Sequence, residues 1–324
     1  MGHVMRCFAL GRELSDRGAK VHLISRSLPP ELAQTAQTLG FGVLLLANAH
    51  DAEASSETLR HLSPVDLLIV DHYELDAEWE RAVRPLVSRL MVLDDAPSRP
   101  HNCDLLLDQN YSVARADRYE ALVPHSATVL LGPTYALIRR EVQQARALRK
   151  THKSGVRTIL VSFGGYHAPH LIELVIEACM APPLASLMAG GELHIFGAQR
   201  RAGTAGEYPF HVQGHHFSSD IAAFMGISDV AIGGGGGTLW ERLCVGVPSL
   251  VTILAENQRI SVEALAADGY VESLGQAERL NAAHLRSALC ELWSDDRRMQ
   301  DMSARGRRLV DGKGAQRVAR ILVP

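Results

Sequence analysis

The sequence predicts an α/β protein built from two doubly wound, Rossmann-like domains, and three observations carry that prediction. Short apolar runs alternate with amphipathic stretches of helical length along most of the chain, the pattern of parallel sheets covered on both faces. The alternation comes in two series, separated by a basic, polar segment, LRKTHKSGVR at 148–157. A length of 324 residues is enough for two domains that each bury a core. The expected division is 1–152 and 153–324. In such sheets ligands sit at the carboxyl ends of the strands, so the two halves are expected to face each other across a cleft.

Taken in order, the chain opens with MGHVMRCFALGRELSDRG, in which Val4, Cys7, Leu10 and Leu14 have the spacing of a buried helical face. No strand precedes it, although a doubly wound domain ordinarily begins with one, so the first strand of the N-terminal sheet is missing from the pattern. Six strand-like runs follow, at 21–25, 42–46, 66–70, 90–94, 104–108 and 127–131. The second series has RTILVS, ELHIF, DVAIG and SLVTI. The stretch from Asp295 to Pro324 reads as a helix with arginines on a solvated outer face.

Composition excludes several classes. Hydrophobic residues make up 47% and charged residues 21%, with a net charge of -3, which argues for a soluble globular protein and against nucleic acid or an anionic membrane as partner. Cys7, Cys103, Cys179, Cys244 and Cys290 are odd in number and scattered, which suggests neither a disulfide framework nor a zinc site and points to a reduced, cytoplasmic protein. No apolar run approaches the roughly 20 residues of a membrane span, and no leader pattern is seen.

The most informative stretch is 230–258, VAIGGGGGTLWERLCVGVPSLVTILAENQ, which reads as strand, five glycines, helix and second strand. Glycines leave backbone amides bare, and the following helix points its positive end into the same space. No Gly-Lys-Ser/Thr closes the run, so it is not a P-loop. It suits a nucleotide diphosphate held by backbone, or else a flexible turn between buried elements. Thr238 and Glu241 also have the spacing of a capping box.

Other polar residues follow strands. Tyr73, in Asp71-His72-Tyr73, comes just after a strand and suits either a binding cleft or rim packing. Asp94 and Asp95 are sequence neighbours that point in different directions, which disfavours an acid/base pair and favours structural partners, of Arg99 for example. Asp108, Gln109 and Asn110 suit a cleft wall or loop capping. His215 and His216 splay apart with no carboxylate at ligand spacing, so no metal is expected, and they are assigned to the surface or a uracil pocket.

Five blocks together, GHVMRC at 2–7, VDHYELDAEWE at 70–80, LDDAPSRPHNCDLLLDQN at 93–110, LLGPTYALIR at 130–139 and WER…GVPSL…AENQ at 240–258, resemble the UDP-2,4-diacetamido-2,4,6-trideoxy-β-L-altropyranose hydrolases of pseudaminic acid biosynthesis. The resemblance implies the two-domain fold of the B-type glycosyltransferases (GT-B). It also implies an inverting, metal-independent and cofactor-free hydrolysis of the anomeric carbon–oxygen bond of a UDP-sugar by a monomer.

By the same resemblance His3 is the catalytic histidine that activates water, with Tyr73 beside it at the sugar or the water; nothing visible in the sequence holds His3 in place. Gly2, Arg6, Asp71, Asp95, Arg99, Gly164 and Gly165 fall on the substrate side. Gly235, Gly236, Gly237 and Thr238 would cradle the diphosphate, Glu241 would accept the ribose hydroxyls, and Asn257 and Gln258 would bond the sugar or its phosphate. After Gly164-Gly165 the chain continues Tyr166-His167-Ala168-Pro169-His170 where the family has a serine and an aspartate, a departure that implies a related but altered sugar. Two other readings remain: a GT-B transferase in which an acceptor hydroxyl replaces water, and a UDP-sugar binding protein without turnover.

Overall fold

The structure is a computed structural model that describes residues 2–48, 51–112, 117–149, 157–165, 168–197, 208–215 and 221–323. By contacts the chain groups into two compact units, one made of His3–Leu137 with Lys313–Pro324, the other centred on Ile138–Gly312. The division expected at 152 falls in a segment outside the described residues.

The first unit begins with α1 (Gly2–Ser15), followed by β1 (His22–Ser25), α2 (Pro30–Thr38), β2 (Gly42–Leu45), α3 (Ala52–Leu62), β3 (Val65–Val70), α4 (Ala77–Val83), β4 (Val87–Leu93), β5 (Leu105–Asp108) and β6 (Thr128–Leu131). All strand pairs are parallel, with β1 beside β2 and a separate sheet in the order β3-β4-β5-β6. Alternation of period two sorts the central strands. Met91, Leu93, Leu105 and Leu107 pack on Leu10 and Leu14 of α1, while Leu90, Val92 and Leu106 pack on Leu59, Val83 and Tyr119. Asp51 and Asp76 cap α3 and α4 by accepting hydrogen bonds from their first-turn amides.

The second unit runs α5 (Arg140–Leu148), β7 (Thr158–Ser162), α6 (Pro169–Met180), α7 (Leu184–Leu187), β8 (Glu192–Phe196), β9 (His211–His215), α8 (Ile221–Ile227), β10 (Val230–Gly234), α9 (Gly237–Val245), β11 (Ser249–Ile253), α10 (Glu256–Ala267), β12 (Glu272–Gln276), α11 (Ala282–Trp293) and α12 (Asp296–Leu309). Its six parallel strands lie in the order β12-β11-β10-β7-β8-β9. The chain therefore adds β8 and β9 on one side of β7 and β10, β11 and β12 on the other, which sets a topological switch point between β7 and β10. Ile159, Leu193, Val230, Ile232 and Leu250 have no exposed surface. Each such side chain contributes about 1.5–3 kcal/mol of burial.

All ten strands expected from the sequence form, and β9 and β12 join them at the two sheet edges. The expected single helix over 295–324 is instead two, with a break at Gly312, where φ is +84°. Its second half, α13 (Gly314–Leu322), is not a solvated helix: Ala315, Val318, Ala319 and Leu322 are buried in the core of the first unit. Their i, i+3, i+4 and i+7 spacing makes that face.

Candidate functional site

Two polar centres stand at strand ends, one in each unit. In the first, α1 delivers His3 and Arg6 one turn apart, and Asp71 follows β3. His3 Nδ1 lies 2.6 Å from Asp71 Oδ1. Arg6 donates to both carboxylate oxygens of Asp71, Nε at 2.7 Å and NH2 at 2.5 Å, and its NH1 reaches Asp95 at 3.3 Å. Burial pushes the Asp71 pKa up, but the Arg6 hydrogen bonds and charge outweigh it and hold the carboxyl well below the usual range.

An ionised Asp71 can only accept, so His3 Nδ1 carries a proton, and in the neutral ring the lone pair is on Nε2. The 3.2 Å approach of Arg6 NH2 to Nδ1 is then two donors converging on one oxygen, not a hydrogen bond between them. The side chain of His3 is 38% exposed, against 5% for Asp71. The expectation that nothing holds His3 is thus corrected: Asp71 does, and Tyr73 sets its ring edge-on with centroids 5.0 Å apart. Burial, then the charge and hydrogen bond of Asp95, push the Tyr73 phenol well up, so it stays a hydrogen-bond donor.

Asp71 is therefore engaged by side chains. Arg99 pairs with Asp94 at 3.4 Å and donates to the His72 carbonyl at 2.9 Å. Asp108 accepts from the Asn110 amide at 2.8 Å, and Gln109 from the Leu137 amide at 3.1 Å, so both brace loops. Gly2 is the exposed first residue of α1. Behind this centre lies a buried set that the sequence reading did not single out. His101 sits between Glu80, at 2.7 Å, and Asp94, at 3.5 Å. Burial alone would lower its pKa, yet the two carboxylates raise it to about 9, so it is an imidazolium at neutral pH. Tyr119 reaches Asp94 at 3.2 Å and Asp108 at 3.1 Å, and Arg118 pairs with Asp108 at 2.9 Å.

The second centre lies at the switch point, at the carboxyl ends of β7 and β10. Gly164 turns there with φ +67°, and Gly165 beside it is exposed. Tyr166, His167 and His216 lie outside the described residues. The five glycines divide by role. Gly233 and Gly234 belong to β10, where an added Cβ at Gly233 would fall 2.1 Å from both Ser162 O and Arg242 NH1, and one at Gly234 would fall 2.4 Å from Leu254 Cδ1. At Gly235 the obstacle is Val262 Cγ2, at 2.4 Å. At Gly237 nothing lies within 4 Å, and at Gly236 only Gln258 Nε2, at 3.6 Å. Three glycines thus answer to packing, Gly236 has room for a methyl in ordinary contact with Gln258, and Gly237 faces open space.

The expectation of five bare amides is accordingly corrected. Gln258 Oε1 accepts from the Gly235 amide at 3.2 Å and from Leu254 at 3.1 Å, which ties the turn to the first turn of α10 beside exposed Asn257. The capping box does not form: Gly236 is the N-cap of α9 and no side chain caps it. Both Glu241 oxygens instead accept from Arg139, at 2.7 and 3.0 Å, a buried bidentate pair. Thr238 is left half-buried at the open N-terminus of α9. His215 ends β9 and stacks on Phe196, with centroids 4.7 Å apart, against His194 and Phe224, so it is a packed residue.

Among the described residues no group of three or more His, Cys, Asp or Glu could hold a metal, and no helix is long and apolar enough to cross a membrane. The five cysteines are unpaired.

No family model matches the chain. It is 28% identical over 266 residues to the spore coat polysaccharide biosynthesis protein SpsG of Bacillus subtilis, covering 80% of this chain and 76% of that one. It is 30% identical over 149 residues to the UDP-2,4-diacetamido-2,4,6-trideoxy-beta-L-altropyranose hydrolase of Campylobacter jejuni, covering 44% and 48% respectively. The resemblance read from the motifs thus stands on a relative of that name. Among solved structures, MurG of Acinetobacter baumannii superposes with a TM-score of 0.69 at 14% identity, over 99% of this chain and 96% of that one. The fold is that of the GT-B glycosyltransferases.

Proposed function

We propose that this chain hydrolyses a UDP-sugar at its anomeric carbon–oxygen bond, with inversion and without a metal. The observation that carries the reading is the His3–Asp71 pair, which leaves His3 Nε2 as a half-exposed base. Nε2 takes a proton from water, and the water oxygen attacks the anomeric carbon. The carbon–oxygen bond to the β-phosphate breaks, and its electron pair leaves on UDP. Asp71, kept ionised by Arg6, holds the imidazolium that forms. Tyr73 orients water or sugar. Preorganised dipoles at the start of α9, with the turn Gly235-Gly236-Gly237 and Thr238, receive the departing diphosphate. Glu241 retains lone pairs beyond those used by Arg139 and accepts the ribose hydroxyls. Arg99 is assigned to the sugar, and Gly164, Gly165, Asn257 and Gln258 to the phosphate and sugar.

For the sugar we propose a 2,4-diacetamido-2,4,6-trideoxy hexose, supported by the Campylobacter relative's name and by the resemblance of the five sequence blocks to that hydrolase family. The fold's likeness to glycosyltransferases favours one other reading, transfer to an acceptor hydroxyl. Incubation with UDP-diacetamido sugar and chelator in ¹⁸O-water separates them. Hydrolysis releases UDP without acceptor and labels the sugar alone. Label in the phosphate, or release that needs an added acceptor, overturns the proposal.

A further inference from the structure

Arg242 is used by nothing described so far. It lies on α9 with no exposed surface, and its side chain runs back toward the helix start, as long helical side chains do. Its NH2 donates to the Gly234 carbonyl at 2.6 Å, and its NH1 is the atom that a Cβ at Gly233 would strike. The guanidinium is therefore pressed against the last two residues of β10, directly ahead of the glycine turn. Its Nε and NH1 have no hydrogen-bond partner.

Such a group is costly to bury. Burial lowers its pKa to about 10, so it is still a cation at neutral pH. Glu241 is the carboxylate whose charge acts on it, and that carboxylate already carries the Arg139 fork. The start of α9 thus sets one positive helix terminus beside a second positive charge that shares its carboxylate with Arg139. Open space at Gly237 leaves room for a ligand at the start of α9.

We infer that Arg242 is a positioning residue for a diphosphate, a cation sealed beneath the glycine turn that supplies countercharge through the backbone without touching the ligand. The inference rests on the nucleoside-diphosphate reading of this centre. In a low-dielectric interior a charge acts over more than contact distance. The arrangement lets the amides of the turn make the hydrogen bonds while Arg242 fixes the sign of the potential there. It also keeps the cation away from water, which would otherwise screen it. A departing diphosphate gains negative charge as the sugar bond breaks, so the same cation favours departure.

The test is calorimetric binding of UDP and of uridine, with chelator, to the wild-type chain, Arg242→Gln and Arg242→Lys. The expected result is a loss of tenfold or more in UDP affinity for Arg242→Gln, uridine within twofold, and a smaller UDP loss for Arg242→Lys. Equal loss for both ligands, or an unchanged UDP-to-uridine ratio, assigns Arg242 to packing alone and overturns the inference. Wild-type protein that binds neither ligand sinks the nucleoside-diphosphate reading itself. Should the variants fail to fold, the wild-type ratio decides: UDP no tighter than uridine overturns the inference.

Discussion

The two polar centres are built by opposite means. In the first unit four charged or titratable side chains, His3, Arg6, Asp71 and Asp95, hold one another, and each is oriented by an opposite charge. At the switch point of the second unit the turn presents backbone: Gly236 and Gly237 carry no side chain, and the Arg139–Glu241 ion pair is buried. A centre of mutually locked side chains fixes where a proton goes. A centre of amides fixes where negative charge goes, and tolerates any leaving group of that charge.

That contrast can be broken most severely at His3. For His3→Phe, turnover should fall about 10²–10⁴-fold, the usual value of a positioned base, while UDP affinity by calorimetry stays within about twofold. Matching losses in both would merge the two roles.

Next in size is the buried pair. Glu241→Ala leaves Arg139 buried without a partner, and removing one member of such a pair costs about 3–5 kcal/mol. Denaturant unfolding should show that loss, and preference for UDP over 2′-deoxy-UDP should vanish. Replacing Arg139 and Glu241 together by methionine should recover much of the stability and none of the ribose preference. Recovery of both would take Glu241 out of ligand binding.

The glycines sharpen the contrast within one run. Gly233→Ala drives a methyl into Ser162 and Arg242, and overpacking of this kind costs about 1–3 kcal/mol. Gly237→Ala meets nothing, so its melting temperature should hold while UDP binding weakens. Equal melting temperatures for the two would refute the division into packing and ligand-facing positions.

A more gradual effect is a pH slope confined to the first unit. The pKa of His101 is raised to about 9 between Glu80 and Asp94, so its contribution is fully present below the unfolded value of 6.5 and is lost as pH rises through about 9. The change is on the order of 3 kcal/mol. Unfolding followed from pH 6 to pH 10 should show it, and His101→Gln should flatten it.

Much of this was legible in the sequence, for identifiable reasons. Strands made of continuous apolar runs are the easiest to read, and all ten of that kind formed. Strands β9 (HVQGH) and β12 (ESLGQ) bury only Val212 and Leu274, so they carry no such run. The candidate residues could be listed by type and place, but not their engagements. Arg139 and Glu241 are 102 positions apart, and Arg6 and Asp71 are 65 apart. The Thr238–Glu241 spacing suggested a local cap because only local partners show in a sequence. His101 gave one usable signal, a lone histidine among acidic residues after a strand.

The return of α13 to the first unit has a consequence for how the chain is made. Residues 3–137 leave the ribosome early, yet Val318, Ala319 and Leu322 belong to their core. During synthesis that half must wait with an open apolar face against Leu10, Leu93 and Leu107 while the 175 residues from Ile138 to Gly312 are added. The later-made unit can complete its own core first, which reverses the usual order of folding from the N-terminus. The nascent chain is therefore most open to aggregation and proteolysis in the earlier-made of the two units.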